Sequence, residues 1–234
     1  MAASRATRQR RSPLGEDEEI ARLKRAAAST AAQLLQDGMR VGLGTGTTVA
    51  HLLPAIAELR LKDLRCVATS PATERAATAL GLNVEALDDV GPLDIAIDGA
   101  DQIDPAGWLV KGGGGAHTRE KIVASAARRF VVIASSEKAV PELGPPVPLE
   151  VVRFGVQDTL ARLGDARLRD APQSPDGGLI ADYLGPIGDP RELSARLKAT
   201  AGVVEHGLFA PELVSLILIA TGSGVERRPG GKQN

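Results

Sequence analysis

Gly42-Leu43-Gly44-Thr45-Gly46-Thr47-Thr48 lies between a short apolar run and an apolar-striped one, and its residue types suit the holding of a phosphate or a polyol. Glycines let backbone N–H groups approach a ligand, the start of the following helix favours an anion, and the hydroxyls of Thr45, Thr47 and Thr48 add donors. The rival reading is a dinucleotide fingerprint, which wants an acid about 20 residues further on, at the end of the second strand. That strand ends in Ala68-Thr69-Ser70, which speaks against NAD. A purely structural glycine turn stays open at this level.

Two further clusters carry ionisable groups. Asp98-Gly99-Ala100-Asp101 follows the apolar run at residues 93–97, so both carboxylates fall at the C-terminal end of a buried strand, where ligands gather in open α/β sheets. They can converge on one substrate, or one can merely cap a turn. Lys111-Gly112-Gly113-Gly114-Gly115 precedes Ala116-His117-Thr118-Arg119-Glu120-Lys121. Four glycines in a row read as a flexible linker by composition, but they join a strand to a helix, which favours a tight turn in contact with a ligand. Glu120 falls in the first turn of that helix, facing back towards Asp98 and Asp101, where its plainer role is to complement the helix dipole. Lys138, after Ser135-Ser136, points to the same edge. His51, His117 and His206 are isolated from one another along the chain and Cys66 is the sole cysteine, which argues against a nitrogen or sulfur metal site. A single hard cation on the aspartates is the remaining metal reading.

The elements that must place these groups show in the periodicity. Ile20, Leu23, Ala27, Ala31, Leu34 and Leu35 recur at helical spacing across residues 16–36. Strands are expected at 39–43, 64–68, 93–97 and 130–134, and helices at 47–60, 72–80 and up to residue 129. Strands alternating with helices imply right-handed crossovers and a parallel sheet. Four prolines within residues 141–148 mark a boundary, beyond which short segments at 149–154, 156–163, 179–183, 190–198 and 203–206 suggest a small α+β module. The apolar run at 213–220 returns the chain to the main sheet. The expected organisation is an N-terminal tail over 1–18, a catalytic domain over 19–143 and 210–226, a small module over 144–209, and a C-terminal tail over 227–234.

Composition narrows the function classes. Aromatic residues make up 2% of the chain and hydrophobic residues 43%, so the core is built from Ala, Val, Leu and Ile, the filling of a parallel sheet. A net charge of −1 gives no field for nucleic acid or an anionic membrane, and no apolar run approaches the roughly 18 residues that span a bilayer. A lone cysteine fits a reducing compartment. Arg5, Arg8, Arg10 and Arg11 stand in a segment that reads as a disordered extension.

Taken in order, GLGTGTT at Gly42, TSPAT at Thr69, DGADQID at Asp98, KGGGGAHTREK at Lys111, SSEK at Ser135 and VVEHGLF at Val203 resemble ribose-5-phosphate isomerase A over residues 20–225. The resemblance implies an α/β fold: a Rossmann-like, mostly parallel sheet with helices on both faces, plus a small α+β lid domain. It implies no metal or organic cofactor, a sugar phosphate as the small-molecule partner, a homodimer or homotetramer, and a cytoplasmic enzyme of the pentose phosphate pathway. It makes Glu120 the general base and puts Thr45, Gly46, Thr47, Thr48, Asp98, Gly99, Ala100, Asp101, Lys111, Gly112, Gly113, Gly114 and Lys138 around the substrate. Lys111 and the glycine-turn N–H groups would stabilise an enediolate, Asp98 and Asp101 would open the ring and shuttle protons, and Lys138 with Lys24 would hold the phosphate. Three departures stand out: Gln102 where Glu is common, His117 at an apolar position, and Ser174-Pro175-Asp176-Gly177-Gly178 in place of a longer turn containing Asn. Two readings from other classes remain: a sugar-phosphate sensor domain, which lacks room here for a DNA-reading module, and a nicotinamide dehydrogenase.

Overall fold

The computed structural model describes residues 13–232, so the expectation for Arg5, Arg8, Arg10 and Arg11 lies outside the described residues. The expected N-terminal tail is shorter than residues 1–18, because helix α1 (Pro13–Ala32) already starts at Pro13. Proline is suited to a first helical position, where its missing N–H would have no partner anyway, and Glu16 in the first turn complements the dipole.

The chain then alternates β1 (Arg40–Leu43), α2 (Val49–Glu58), β2 (Arg65–Ala68), α3 (Pro71–Ala79), β3 (Asn83–Val84), α4 (Leu87–Val90) and β4 (Leu93–Gly99). Short strands β5 (Gln102–Ile103) and β6 (Leu109–Val110) precede α5 (His117–Ala126) and β7 (Ala127–Ser135). Next come β8 (Val147–Val151), α6 (Val156–Leu163), β9 (Ala166–Leu168), β10 (Leu179–Tyr183), α7 (Pro190–Ala199), β11 (Val203–His206) and β12 (Leu208–Phe209). β13 (Leu216–Thr221) and β14 (Gly224–Pro229) close the chain.

The main sheet has the order β14-β13-β7-β4-β1-β2-β3 and is parallel except for β14. Chain order runs outward from β1 to β2 and β3 on one side and from β4 to β7 and β13 on the other. The crevice between β1 and β4 is therefore the switch point at which open α/β sheets bind ligands. α1 and α2 cover one face over Val41, Leu43, Ile95 and Ile97, and α5 covers the other over Val67, Ala96 and Val132. Buried Cys66 is part of the first face, and burial followed by the nearby Glu85 charge pushes its thiol up to about 12, so it is an inert packing residue.

A second, antiparallel sheet, β11-β8-β10-β9, packs against α6 and α7 through Leu149, Leu160, Leu193 and Leu197. Trp108, Val110 and Leu208, from the three-stranded sheet β12-β6-β5 and the turn before it, enter the same core. No helix among the described residues is long and apolar enough to cross a membrane.

Two boundaries correct the sequence reading. Helix α5 stops at Ala126, not residue 129, because buried Ala127 is already in register with Leu93 of β4. The expected C-terminal tail over 227–234 is ordered through residue 232. Arg227 pairs with Leu218 and Arg228 with Ile217, and Lys232 Nζ donates to Ala127 O at 2.6 Å. β14 is an edge strand, whose charged and exposed side chains conceal its strand character.

Candidate active site

β1 and the loop after it owe a glycine each, Gly42 and Gly44, to packing within the protein. A Cβ on Gly42 would lie 2.4 Å from Val123 Cγ1 of α5, and one on Gly44 would lie 1.9 Å from Asp98 Oδ1. Gly46 has φ of +114°, a conformation that side chains resist. The close approach at Gly44 lets Asp98 Oδ1 accept N–H bonds from Thr45 at 3.1 Å and Gly99 at 2.7 Å. Thr45 is braced in turn by Thr69, hydroxyl to hydroxyl at 2.8 Å, and Thr73 donates to Gly44 O at 2.9 Å.

Lys111 directly follows β6 and enters the crevice from the other side. Its backbone N–H is held by Gly207 O at 2.8 Å, and its Nζ donates to Gly99 O at 2.5 Å. The same Nζ lies 2.9 Å from Asp98 Oδ2 and 3.1 Å from Glu120 Oε2, so one ammonium is shared between two carboxylates. All three side chains are buried, at 2% exposure for Lys111 and 4% for each carboxylate. One cation thus faces two nearly buried carboxylates, and the second carboxylate ionises reluctantly. Burial, followed by the Asp98 charge, raises Glu120 to about 8 against the pull of Lys111. Burial likewise raises Asp98, opposed by Lys111. Burial alone would lower Lys111, but the Asp98 and Glu120 charges hold it above its ordinary value.

Thr45, Gly46, Thr47 and Thr48 line one wall of the cleft, Gly99, Ala100 and Asp101 a second, and Lys111, Gly112, Gly113, Gly114 and Glu120 a third, with Lys138 at the rim. The two aspartates separate in depth: Asp101 lines the cleft and accepts the Gly113 N–H at 2.8 Å, whereas Asp98 lies under Lys111. Lys24 is not in the lining but reaches the same loop, donating to Thr47 Oγ1 at 2.9 Å. A roomier groove lies on the Arg119 and Ile122 face of α5. The guanidinium of Arg119 there is already paired with Asp176 at 2.7 Å, so we take the smaller cleft, where two buried carboxylates converge on one ammonium, as the site.

The histidines correct the sequence reading. His117 and His206 are distant in sequence but meet around Lys121 and Glu205: His117 Nε2 lies 3.4 Å from Glu205 O, and Lys121 Nζ donates to Glu205 Oε1 at 2.8 Å and His206 O at 2.6 Å. His117 fills its apolar position as a buried ring under Gly112, and burial lowers it to about 4, so it is neutral. Among the described residues, no three His, Cys, Asp or Glu side chains are placed to hold a metal ion. Arg169, which contacts the glycine turn, was not legible in the sequence.

A buried carboxylate raised towards neutrality, beside an ammonium and backbone N–H groups, can take a proton from carbon while the donors hold the charge that develops on the neighbouring oxygen. The family model described as ribose 5-phosphate isomerase A (phosphoriboisomerase A) matches residues 65–224. A ribose-5-phosphate isomerase A of Caulobacter vibrioides is 48% identical over 219 residues, covering 87% of this chain and 96% of the relative. The crystal structure of ribose 5 phosphate isomerase A from Neisseria gonorrhoeae superposes with a TM-score of 0.86 at 32% identity, covering 90% of this chain and 97% of that one. A D-ribose-5-phosphate isomerase in complex with phospho-erythronic acid superposes with a TM-score of 0.85 at 32% identity, covering 90% of this chain and 99% of that one.

Proposed function

On the premise that this chain belongs to the ribose 5-phosphate isomerase A family and interconverts ribose 5-phosphate and ribulose 5-phosphate in the pentose phosphate pathway, we propose that Glu120 carries the proton between C1 and C2. The observation that carries this reading is the Glu120 carboxylate, buried in the cleft wall and 3.1 Å from Lys111 Nζ. One base must serve two adjacent carbons, so it needs to lie beside both and to have a proton affinity near that of the medium. Lys111 and the N–H groups of the glycine turn stabilise the enediolate oxygens. Asp101, in the cleft, assists ring opening and moves protons between O1 and O2; Asp98 supports this from beneath by holding Lys111 and the Thr45 loop. The phosphate is held by the N–H groups of Gly46, Thr47 and Thr48 and the hydroxyls of Thr47 and Thr48, with Lys138 and Lys24, while Thr45, tied to Asp98 and Thr69, shapes the loop.

A coupled assay with ribose 5-phosphate, run with and without a chelator, tests the activity and its independence of metal. Absence of turnover in both arms would overturn the reading. The lone Cys66 and the family resemblance support a cytoplasmic enzyme that assembles as a homodimer or homotetramer, which light scattering of the purified protein checks.

Two consequences are measurable. Glu120 must be ionised to act, and its folded-state value is raised to about 8. The active fraction is therefore lost as pH falls through that value, and kcat/KM declines by about tenfold per pH unit on the acid side. A kcat/KM profile that stays level from pH 8 to pH 5 would contradict this. Replacing Lys138 or Lys24 by Ala should raise KM by about tenfold with kcat little changed, since each removes binding common to substrate and transition state. A fall in kcat with KM intact would remove that residue from the phosphate site.

A further inference from the structure

The glycine turn is gripped from the small module. Arg169, directly after β9, donates from Nη1 to Gly112 O at 3.2 Å and to Gly113 O at 2.9 Å. Its Nε and Nη2 go to one partner: Nε donates to Asp182 Oδ2 at 2.9 Å and Nη2 to Asp182 Oδ1 at 2.5 Å. Asp182 lies on β10, and the Arg169 N–H donates to Ile180 O of the same strand at 2.9 Å, so the guanidinium is fixed from its backbone and from its head. The pair is mostly enclosed, with side-chain exposures of 21% and 16%.

The consequence follows from the peptide bond. Both peptides are trans, since the only cis bond among the described residues is Pro145-Pro146. In a planar trans peptide the C=O and N–H point in opposite directions. Arg169 on the Gly112 and Gly113 carbonyls therefore turns the Gly113 and Gly114 N–H groups to the other side. That side is the cleft: the Gly113 N–H donates to Asp101 Oδ2 at 2.8 Å, and Gly113 and Gly114 both line the cleft beside Asp101. A guanidinium on the carbonyl also polarises the peptide and strengthens its N–H as a donor. Four glycines have no side chains with which to choose one orientation; the Gly115 N–H closes the turn on Gly112 O at 3.0 Å, and Arg169 holds the Gly112 and Gly113 carbonyls from outside it.

We propose that Arg169, clamped by Asp182, is a positioning residue for the isomerisation: it sets the glycine turn so that its N–H groups face the enediolate and Asp101. This deepens the reading of the site given above and rests on it. Lysine cannot substitute, because one ammonium cannot fork to Asp182 and reach both carbonyls.

The test compares Arg169→Ala, Arg169→Lys and Asp182→Asn with the parent enzyme and with Glu120→Gln. Turnover is measured, together with affinity for two phosphates: ribitol 5-phosphate, which lacks the reacting carbonyl, and 4-phospho-erythronate, whose carboxylate mimics the enediolate. The expected result is a fall in kcat of about 100-fold for both Arg169 variants, in keeping with the penalty for donors displaced by an ångström. Asp182→Asn falls in the same direction by a smaller factor. Affinity for 4-phospho-erythronate falls in step with kcat, while affinity for ribitol 5-phosphate stays within about threefold. Thermal unfolding of each variant confirms that it is folded, and Asp182→Asn, which retains its shape, carries the test if Arg169→Ala does not fold. The inference is overturned if the folded variants keep kcat within about threefold, or if both ligands weaken equally. Wild-type turnover in Glu120→Gln would instead sink the underlying reading, whereas an inactive Glu120→Gln beside active Arg169 variants sinks this inference alone.

Discussion

Glu120→Gln is expected to bind ribose 5-phosphate about as well as the parent enzyme and to lose about 10²- to 10⁴-fold in kcat, the range that a positioned general base contributes. The amide has the size of the carboxylate and can still meet Lys111 through its oxygen, but it has no basic site for a proton from carbon. Folding should not suffer. Burial raises the Glu120 carboxyl from 4.5 to about 8, so its charged form is penalised in the folded state. That penalty is absent below the unfolded value, grows as pH rises towards about 8, and stays constant above it. The amide escapes it, so the variant should be at least as stable as the parent enzyme at pH 9. Single-turnover kinetics beside a binding titration separates the two effects, and wild-type kcat in a folded variant would remove Glu120 from the chemistry.

Lys111→Met should damage both stability and rate. The ammonium is the partner of two buried carboxylates, Asp98 at 2.9 Å and Glu120 at 3.1 Å. Removing one member of a buried ion pair leaves charge uncompensated and costs about 3–5 kcal/mol. The loss should be largest near pH 8, where unfolding would release both carboxylates as ions. It should shrink towards pH 4, where protonation of the unfolded carboxylates, with ordinary values of 3.8 and 4.5, is well under way. Loss of the donor should also reduce kcat by about 10²- to 10³-fold. Urea unfolding at the two pH values checks the first claim: an equal stability difference at both would mean that Lys111 acts by packing, not charge.

Much of the fold was legible because burial imposes period. The alternation of apolar strands with striped helices announced the parallel sheet, and Leu93 to Ile97 read as a buried strand because both of its faces are covered. The elements that escaped notice were those too short or too exposed to show a period. β5, β6 and β12 have two residues each, and β14 carries charged side chains on an open edge. The α5–β7 boundary was misplaced because Arg128 and Arg129 are good helix formers, while pairing of Ala127 with Leu93 outweighs their propensity.

Local order determined by itself that a threonine-rich glycine loop, an aspartate pair, a lysine before four glycines and Glu120 would meet at one sheet edge, since each follows or begins an element of readable type. Tertiary structure alone decided their depths and charges: Asp98 beneath Lys111, Asp101 in the cleft, Glu120 raised by burial, and Gly44 kept bare by the Asp98 carboxylate. It alone brought Arg169 to the glycine turn from 56 residues away and drew His117 and His206 to one cluster. A periodic pattern records which face of an element is buried. It holds no record of which distant side chain arrives there, because that depends on how separate elements pack.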